Sequence, residues 1–377
     1  MFSKPVTCSH LFENFLPVRQ AYIYELLGQL NHYGIGNIAW SYKASNLNLF
    51  PYPMLRSFGS ENFVGRNRVR LEARLKGHRS YLTDFLKADP SESNLLHGHF
   101  LWMSTSVSEL KKKLRVPACI TSYGEDEVFR AGVSGRVPPT LEDAGKSADI
   151  IFTTSNYLYG ILKRLIGGDR LRLWHIGVDL DSYPTVRHSE KAAPEVLSVG
   201  RLIERKGYSF LVRAIPEVLK EVPGARFRII GEGPEQDRLQ RLARDLKVDG
   251  SLEFIPPQPS LKEFYASADL FVLPSILLPD GVTEGLGVPL IEASACSLPV
   301  VASEVGGIRD AVENRKTGYL VRQSDYSDLA SRISRLLLDP SLRQEFGDEG
   351  RKKIAKEFDL ATQARTMATW YASLLGA

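Results

Sequence analysis

Short apolar runs that end in glycine or a turn, each followed by a stretch of helical period, organise the second half of this chain. Glu195 to Gly200 (EVLSVG) predicts a strand, and Ser209 to Glu221 the helix after it. Ala225 to Gly231 predicts the next strand, closed by Gly231-Glu232-Gly233-Pro234, with a helix from about Glu235 to Lys247. The alternation continues with strand Leu252–Ile255, helix Leu261–Ala268, strand Leu270–Leu273, helix Pro289–Ala295, and strands Pro299–Ala302 and Gly318–Val321. The first half repeats the theme more loosely, with strands expected at Ile38–Ser41, Leu95–Phe100, Ala118–Ser122, Ile150–Thr154 and Leu171–Ile176. Strands alternating with helices imply a parallel sheet covered on both faces, hence an α/β chain. Ser182 to Pro194 is polar, holds two prolines and lacks periodicity, so 184–194 reads as a linker between two doubly wound domains. Such domains take ligands at the carboxyl ends of their strands, and a pair would face a central cleft.

Composition narrows this further. At 377 residues the chain exceeds the size at which one core keeps growing, which agrees with two domains. The most apolar stretch, around Leu270 to Leu278, is broken by Pro274 and bounded by Asp269 and Asp280, too short for a membrane helix. Lys4, Pro5, His10 and Glu13 interrupt any signal-peptide core. Cys8, Cys119 and Cys296 are odd in number and lack CxxC spacing, which predicts a reducing, cytoplasmic setting with neither a disulfide framework nor a structural zinc. Residues 1–190 carry 23 Lys and Arg against 18 Asp and Glu, the remainder 25 against 26. The excess gathers in Arg66, Arg68, Arg70, Arg74, Lys76 and Arg79 and in Lys111, Lys112, Lys113 and Arg115. Solvated helix faces account for such runs; the sharper reading is attraction to an anionic membrane surface or a lipid-phosphate acceptor. Without an aromatic-interleaved basic strand, nucleic acid is not an expected partner.

The most specific chemistry lies in Asp280-Gly-Val-Thr-Glu284-Gly285-Leu286-Gly287-Val-Pro-Leu-Ile-Glu292. Two glutamates stand eight positions apart, one in a Gly-x-Gly loop and one on the helix that follows. The glycines let backbone N–H groups approach a ligand, and the two carboxylates suit different parts of one extended ligand. A capped helix with surface glutamates is the plain alternative.

This segment resembles the Glu-x7-Glu motif of retaining glycosyltransferases of the GT-B fold, in particular glycosyltransferase family 4. Val199-Gly200-Arg201 through Lys206-Gly207, Gly231-Glu-Gly-Pro234, Pro274-Ser275, Pro299 through Ser303 to Gly306-Gly307-Ile308, and Gly318 to Val321 match in order. His97-Gly-His99-Phe100, Pro117 to Val128, Asn14 to Pro17 and Asp280-Gly281 resemble the subgroup that assembles exopolysaccharides, including colanic-acid-type transferases. The resemblance implies two Rossmann-like domains, 1–183 on the acceptor side and 195–359 binding the nucleotide sugar. It also implies that helix 360–377, with Trp370, Tyr371 and Leu374 at helical spacing, completes the first domain; packing on its own domain is the alternative.

Carried over, Arg201 and Lys206 would neutralise the donor diphosphate, Glu284 with Gly285, Leu286 and Gly287 would hold the transferred sugar, and Glu292 would accept the ribose hydroxyls. Gly200, Gly231, Gly233 and Ile255 would line the donor site, while Tyr123, His99 and Asp126 would lie toward sugar and acceptor. The implied reaction retains anomeric configuration, needs no metal or cofactor beyond the nucleotide-sugar co-substrate, and moves a hexosyl group to a glycan or lipid-linked acceptor, with the enzyme cytoplasmic or peripheral at the inner membrane face. The sequence departs from the family at Tyr123, where many members have histidine, at Ile176 in place of asparagine, and at Pro256-Pro257. The glycine pair of the first strand–helix turn is missing, which leaves Arg19 and Gln20 as candidates for its role.

Other readings compete. A GT-B epimerase predicts turnover without acceptor. A two-domain dehydrogenase needs Gly-x-Gly-x-x-Gly, and Gly231-Glu-Gly233-Pro-Glu-Gln236 lacks the last glycine. Asp179-Leu-Asp181 fits a turn better than a metal site. His97 and His99 alternate along a strand, where a buried hydrogen-bonded histidine and a ligand contact are both open. Asp126, placed in the loop after a strand, serves either as a helix cap or as an acceptor contact.

Overall fold

The computed structural model describes residues 5–15, 21–48, 51–57, 92–187, 189 and 192–376; Arg19, Gln20 and the basic run Arg66 to Arg79 lie outside them. The chain divides into two compact units, Met1–Gly177 with Leu360–Ala377, and Val178–Asp359.

The first unit holds a parallel sheet of β1 (Val6–Phe15), β2 (Ile35–Ala44), β3 (Leu55–Ser57), β4 (Leu95–His99), β5 (Ala118–Ser122), β6 (Ile150–Thr153) and β7 (Leu171–Leu173). Their spatial order is β3-β2-β1-β4-β5-β6-β7. β1 is an interior strand of this sheet, pairing Cys8 with Asn37 on one side and Leu95 on the other. The apolar pattern does not mark this strand: both faces of β1 are covered, so it shows no alternation, and His10 and Glu13 break its apolar run.

The helix Leu360–Leu375 belongs to this unit and packs on the helix Ala21–His32. Its buried face is Ala364, Met367, Ala368 and Tyr371. Trp370, expected in that apolar stripe, is instead only partly buried, with the Arg172 guanidinium 4.7 Å above its ring. The Trp174 indole N–H donates to the Gln363 carbonyl at 3.0 Å and fastens the helix down.

The second unit holds β8 (Glu195–Val199), β9 (Arg226–Ile230), β10 (Leu252–Ile255), β11 (Leu270–Leu273), β12 (Val300–Ser303) and β13 (Gly318–Val321), in the order β10-β9-β8-β11-β12-β13 and all parallel. Every residue of β11 and β12 is buried, as sheets covered on both faces require. The helix Tyr208–Glu221 supplies Leu211, Val212, Ile215 and Val218 to the core beside Ile229, Leu270 and Val272. The unit begins at Val178, ahead of the expected linker. Val186 N–H donates to the Cys296 carbonyl at 2.8 Å, and the buried Arg343 donates to the Ser189 carbonyl at 2.8 Å. The described part of 184–194 is therefore held against the second unit.

Strand order reverses between β1 and β4 and between β8 and β11. Loops leaving adjacent strands at such a point diverge and open a crevice outside their carboxyl ends, where doubly wound sheets bind ligands.

Candidate functional site

In the second unit the reversal point is flanked by the loop after β8, Gly200 to Gly207, and the loop after β11, Pro274 to Gly287. The two are tied together where Ile276 N–H donates to the Arg205 carbonyl at 2.8 Å. Gly207 is essential to that approach. It has φ +65, and a Cβ there would sit 1.9 Å from the Pro274 carbonyl oxygen. Gly207→Ala is expected to cost at least about 1–2 kcal/mol. The check is a lower urea midpoint at unchanged m value.

The loop contact brings Lys206 to Glu284. Lys206 is 8% exposed, and a lysine so deep stays charged only with a partner. Its Nζ donates to Glu284 Oε2 at 2.7 Å, and Ser275 Oγ donates to the same oxygen at 3.0 Å. Burial alone would raise the Glu284 carboxyl, but Lys206, Arg205 and Ser275 together hold it below its ordinary value. The carboxylate is thus kept ionised. Gly307 N–H donates to the Glu284 carbonyl at 2.9 Å and fixes the loop from its far side.

Eight residues on, Glu292 lies on the helix Val288–Ala295, whose N-terminus is Gly287 at φ +85. Tyr265, fully buried, donates its hydroxyl to Glu292 Oε2 at 2.7 Å. Burial first, and then the Glu292 charge, push the Tyr265 phenol well up, so it remains a donor. Gly231 N–H donates to the Ile255 carbonyl at 2.9 Å, and a Cβ on Gly231 would lie 1.9 Å from the Gly200 carbonyl oxygen. Gly200, Gly231, Gly233 and Ile255 therefore share the ends of β8, β9 and β10. Arg201 is exposed beside them.

In the first unit, His99 and His97 project from the same face of β4, two residues apart, and their rings stack 4.4 Å apart. Both are fully buried. His10 on β1 joins them. The three bring ring nitrogens within 4.8 Å of one another, which is metal-ligand spacing. Each nitrogen nevertheless already has a hydrogen-bond partner: His10 meets His99 and Asn37, His97 meets Tyr371 and Thr121, and His99 also meets Tyr123. The donor set fits a closed hydrogen-bond network better than an ion.

Tyr123 follows β5, with Phe100 packed 4.7 Å from its ring; Phe100 itself holds the strained φ of +75. Burial, and then the neighbouring Tyr22, push the Tyr123 phenol well up, with Thr121 acting the other way. Asp126 is not in a loop but opens the helix Asp126–Ser134 and is exposed. The buried carboxylate here is Glu125, which accepts from Leu101 N–H at 2.8 Å and from Ser122 Oγ at 2.6 Å. Asp179 accepts from Asp181 N–H at 3.2 Å and Ser182 Oγ at 2.6 Å, and so closes a turn.

Comparison with known proteins places the chain in a family. A family model described as "Glycosyl transferases group 1" matches residues 183–353. The putative colanic acid biosynthesis glycosyltransferase WcaL of Salmonella typhimurium is 30% identical over 292 residues, covering 75% of this chain and 71% of that one. D-inositol 3-phosphate glycosyltransferase 2 of Catenulispora acidiphila is 31% identical over 315 residues, covering 76% and 72%. The chain belongs to the group 1 glycosyl transferases. A GDP-mannose-dependent α-(1-6)-phosphatidylinositol monomannoside mannosyltransferase of Mycolicibacterium smegmatis is 33% identical over 242 residues, 60% of this chain; the chain spans 63% of that protein's length.

Solved structures share the fold at lower identity. Sucrose-phosphate synthase of Thermosynechococcus elongatus has a TM-score of 0.79 at 22% identity, covering 98% of this chain and 99% of that one. Anabaena HepE in complex with UDP-glucose has a TM-score of 0.79 at 17% identity, covering 97% and 99%. The fold is GT-B, two Rossmann-like units.

For this group 1 transferase the motif residues Lys206, Glu284 and Glu292 were visible in the sequence, but their partners were not. Ser275 was noted only as part of a matched dipeptide. Glu125 was noted only within the matched segment Pro117 to Val128, and Tyr265, His10 and Asn37 carried no motif and became apparent only from contacts across 27 to 89 positions of sequence.

Proposed function

We propose that this protein is a retaining, metal-independent glycosyltransferase that moves a hexosyl group from a nucleoside diphosphate sugar to a glycan or lipid-linked acceptor. The observation that carries this reading is the buried Lys206–Glu284 pair at the reversal point of the second sheet, with Glu292 one loop away. An ammonium has three N–H donors, and one is engaged by Glu284. The others can take the diphosphate oxygens while Arg201 supplies a guanidinium fork from the exposed side. Charge then develops on the leaving diphosphate beside fixed cations, which is where electrostatic stabilisation lowers a barrier most. Glu284, kept ionised, would accept a hydroxyl of the transferred sugar, and Glu292 the ribose hydroxyls. In this scheme a phosphate oxygen of the donor takes the acceptor's proton, so no protein base is assigned.

The relatives' names supply donor probes, GDP-mannose and UDP-glucose. Thermal unfolding with UDP, GDP, ADP and NAD, each with and without EDTA, is the first test. One nucleoside diphosphate at one hundred times its dissociation constant should add about 2.7 kcal/mol of stability. The shift should be indifferent to EDTA and accompany consumption of that nucleotide's sugar with retained anomeric configuration. A shift with NAD alone would overturn the reading.

A cytoplasmic enzyme working at the inner membrane face fits the phosphatidylinositol monomannoside in the name of one relative. Among the described residues no helix is long and apolar enough to cross a membrane. Of the basic patch on the helix Ser104–Leu114, Lys111 is paired with Asp149 and Lys112 with Glu109, both at 2.7 Å, which leaves less charge for an anionic surface.

A further inference from the structure

We propose that Gln323 is a positioning residue for Glu284, its side chain tying the loop that carries Glu284 to a rigid turn after β13. Gln323 lies between β13 and the helix Tyr326–Leu338, outside every motif matched above. Leu277 N–H lies 2.6 Å from its Oε1, across 46 positions of sequence. A backbone N–H can only donate, so the amide oxygen must face Leu277 and accept.

Leu277 stands beside the residues on which the site is assembled. The neighbouring Ile276 donates its N–H to the carbonyl of Arg205, next to Lys206, at 2.8 Å. Its carbonyl accepts from Oγ1 of Thr283, next to Glu284, at 3.2 Å. Ser275 Oγ donates to Glu284 Oε2 at 3.0 Å. Beyond Leu277 the loop closes on itself, with Leu278 N–H donating to the Val282 carbonyl at 2.9 Å and Val282 N–H to Asp280 Oδ1 at 3.2 Å. Gly281, at φ +89, turns the chain there. A preformed turn of this kind moves as one piece, so a tie at its base orients all of it, Thr283 and Glu284 included.

The contacts of Ile276 join one loop to another. Gln323 differs, because the turn that bears it is fixed at both ends. Glu304 N–H donates to the Val321 carbonyl at 2.8 Å, and the Asp325 carboxylate caps the following helix by accepting from Asp328 N–H at 3.0 Å. Between them Ser324 holds φ +65, a conformation uncommon outside glycine that surrounding structure must impose. One backbone course, and so one direction for the Gln323 side chain, is set before any ligand binds.

The inference rests on the transferase reading only for the turnover it predicts; the tie itself does not depend on it. The test compares Gln323→Met, which keeps the length of the side chain and removes its acceptor, with Gln323→Glu, which keeps an oxygen there. Gln323 is partly exposed, so neither change opens the core. In Gln323→Met the Leu277 amide should exchange with solvent about tenfold faster or more. A misplacement of 1 Å is enough to cost up to about 10²-fold in rate, so kcat for consumption of UDP-glucose or GDP-mannose should fall about tenfold or more. UDP and GDP affinity should stay unchanged, since Glu284 is assigned to the sugar. Gln323→Glu should keep kcat within about threefold of the wild type.

A carboxyl titration by 13C resonance, with the Glu284 signal identified by its loss in Glu284→Gln, reads the position of Glu284 without turnover. In the wild type Lys206, Arg205 and Ser275 hold that carboxyl below its ordinary value, and in Gln323→Met it should rise. Full kcat in Gln323→Met, whatever its urea midpoint, would make the bond merely structural and overturn the proposal. So would an unchanged Glu284 titration, or a Leu277 amide that exchanges equally fast in both proteins. If neither nucleotide sugar is consumed by the wild type, that failure falls on the transferase reading, and exchange and titration still decide the role of Gln323.

Discussion

Lys206→Ala should abolish transfer and weaken the fold at once, with a stability loss of about 3–5 kcal/mol and a fall in kcat of about 10²–10³ or more. The stability loss comes from Glu284. Removing the ammonium leaves a buried carboxylate with Ser275 Oγ and the Arg205 charge to hold it ionised. Glu284 is depressed in the folded state by Lys206, so the stability it contributes is present above the unfolded carboxylate value and fades as pH falls through the lower folded value. In Lys206→Ala that depression is lost, burial dominates, and Glu284 should protonate at higher pH. The variant's deficit should therefore shrink on acidification.

The double variant Lys206→Ala, Glu284→Gln separates the two roles. Neutralising both partners removes the orphaned charge, so stability should return toward the wild type while turnover stays lost. A coupling energy near zero in that cycle would mean that the pair seen at 2.7 Å contributes little in solution.

How much of this was legible in the sequence follows from physical range. The second unit's strands were readable because each is a short apolar run punctuated by glycine, and its Glu284 and Glu292 because a fixed spacing of eight repeats a family motif. The first unit's opening strand was not. β1 is buried on both faces, so no period marks it, and its polar residues are interior ones satisfied by partners far along the chain, such as His10 by His99. Tyr265 escaped notice for the same reason: on a six-residue helix an aromatic residue reads as core, and only the fold brings it within 2.7 Å of Glu292. The basic excess, by contrast, was obvious in composition. Two of its lysines prove to be paired with carboxylates, which a sequence count cannot register.

Glu292→Ala is expected to weaken nucleoside diphosphate binding by about 1.5–3 kcal/mol, roughly 10- to 150-fold in Kd. A carboxylate accepts hydroxyl protons through charge-assisted bonds. Tyr265 holds one of its oxygens in place, so the helix presents the group in a fixed orientation before the ligand arrives. Tyr265→Phe should accordingly cost less than Glu292→Ala, since it loosens the carboxylate without deleting it. The decisive comparison varies the ligand. Wild-type protein should bind 2′-deoxy-UDP or 2′-deoxy-GDP more weakly than the ribonucleotide, and Glu292→Ala should bind the two forms alike. If the variant still discriminates against the deoxy form, or if ribonucleotide affinity is unchanged, another group reads the ribose. Glu292 would then be a partner of Tyr265 that stabilises the second unit, and its loss would be visible in unfolding and absent from binding.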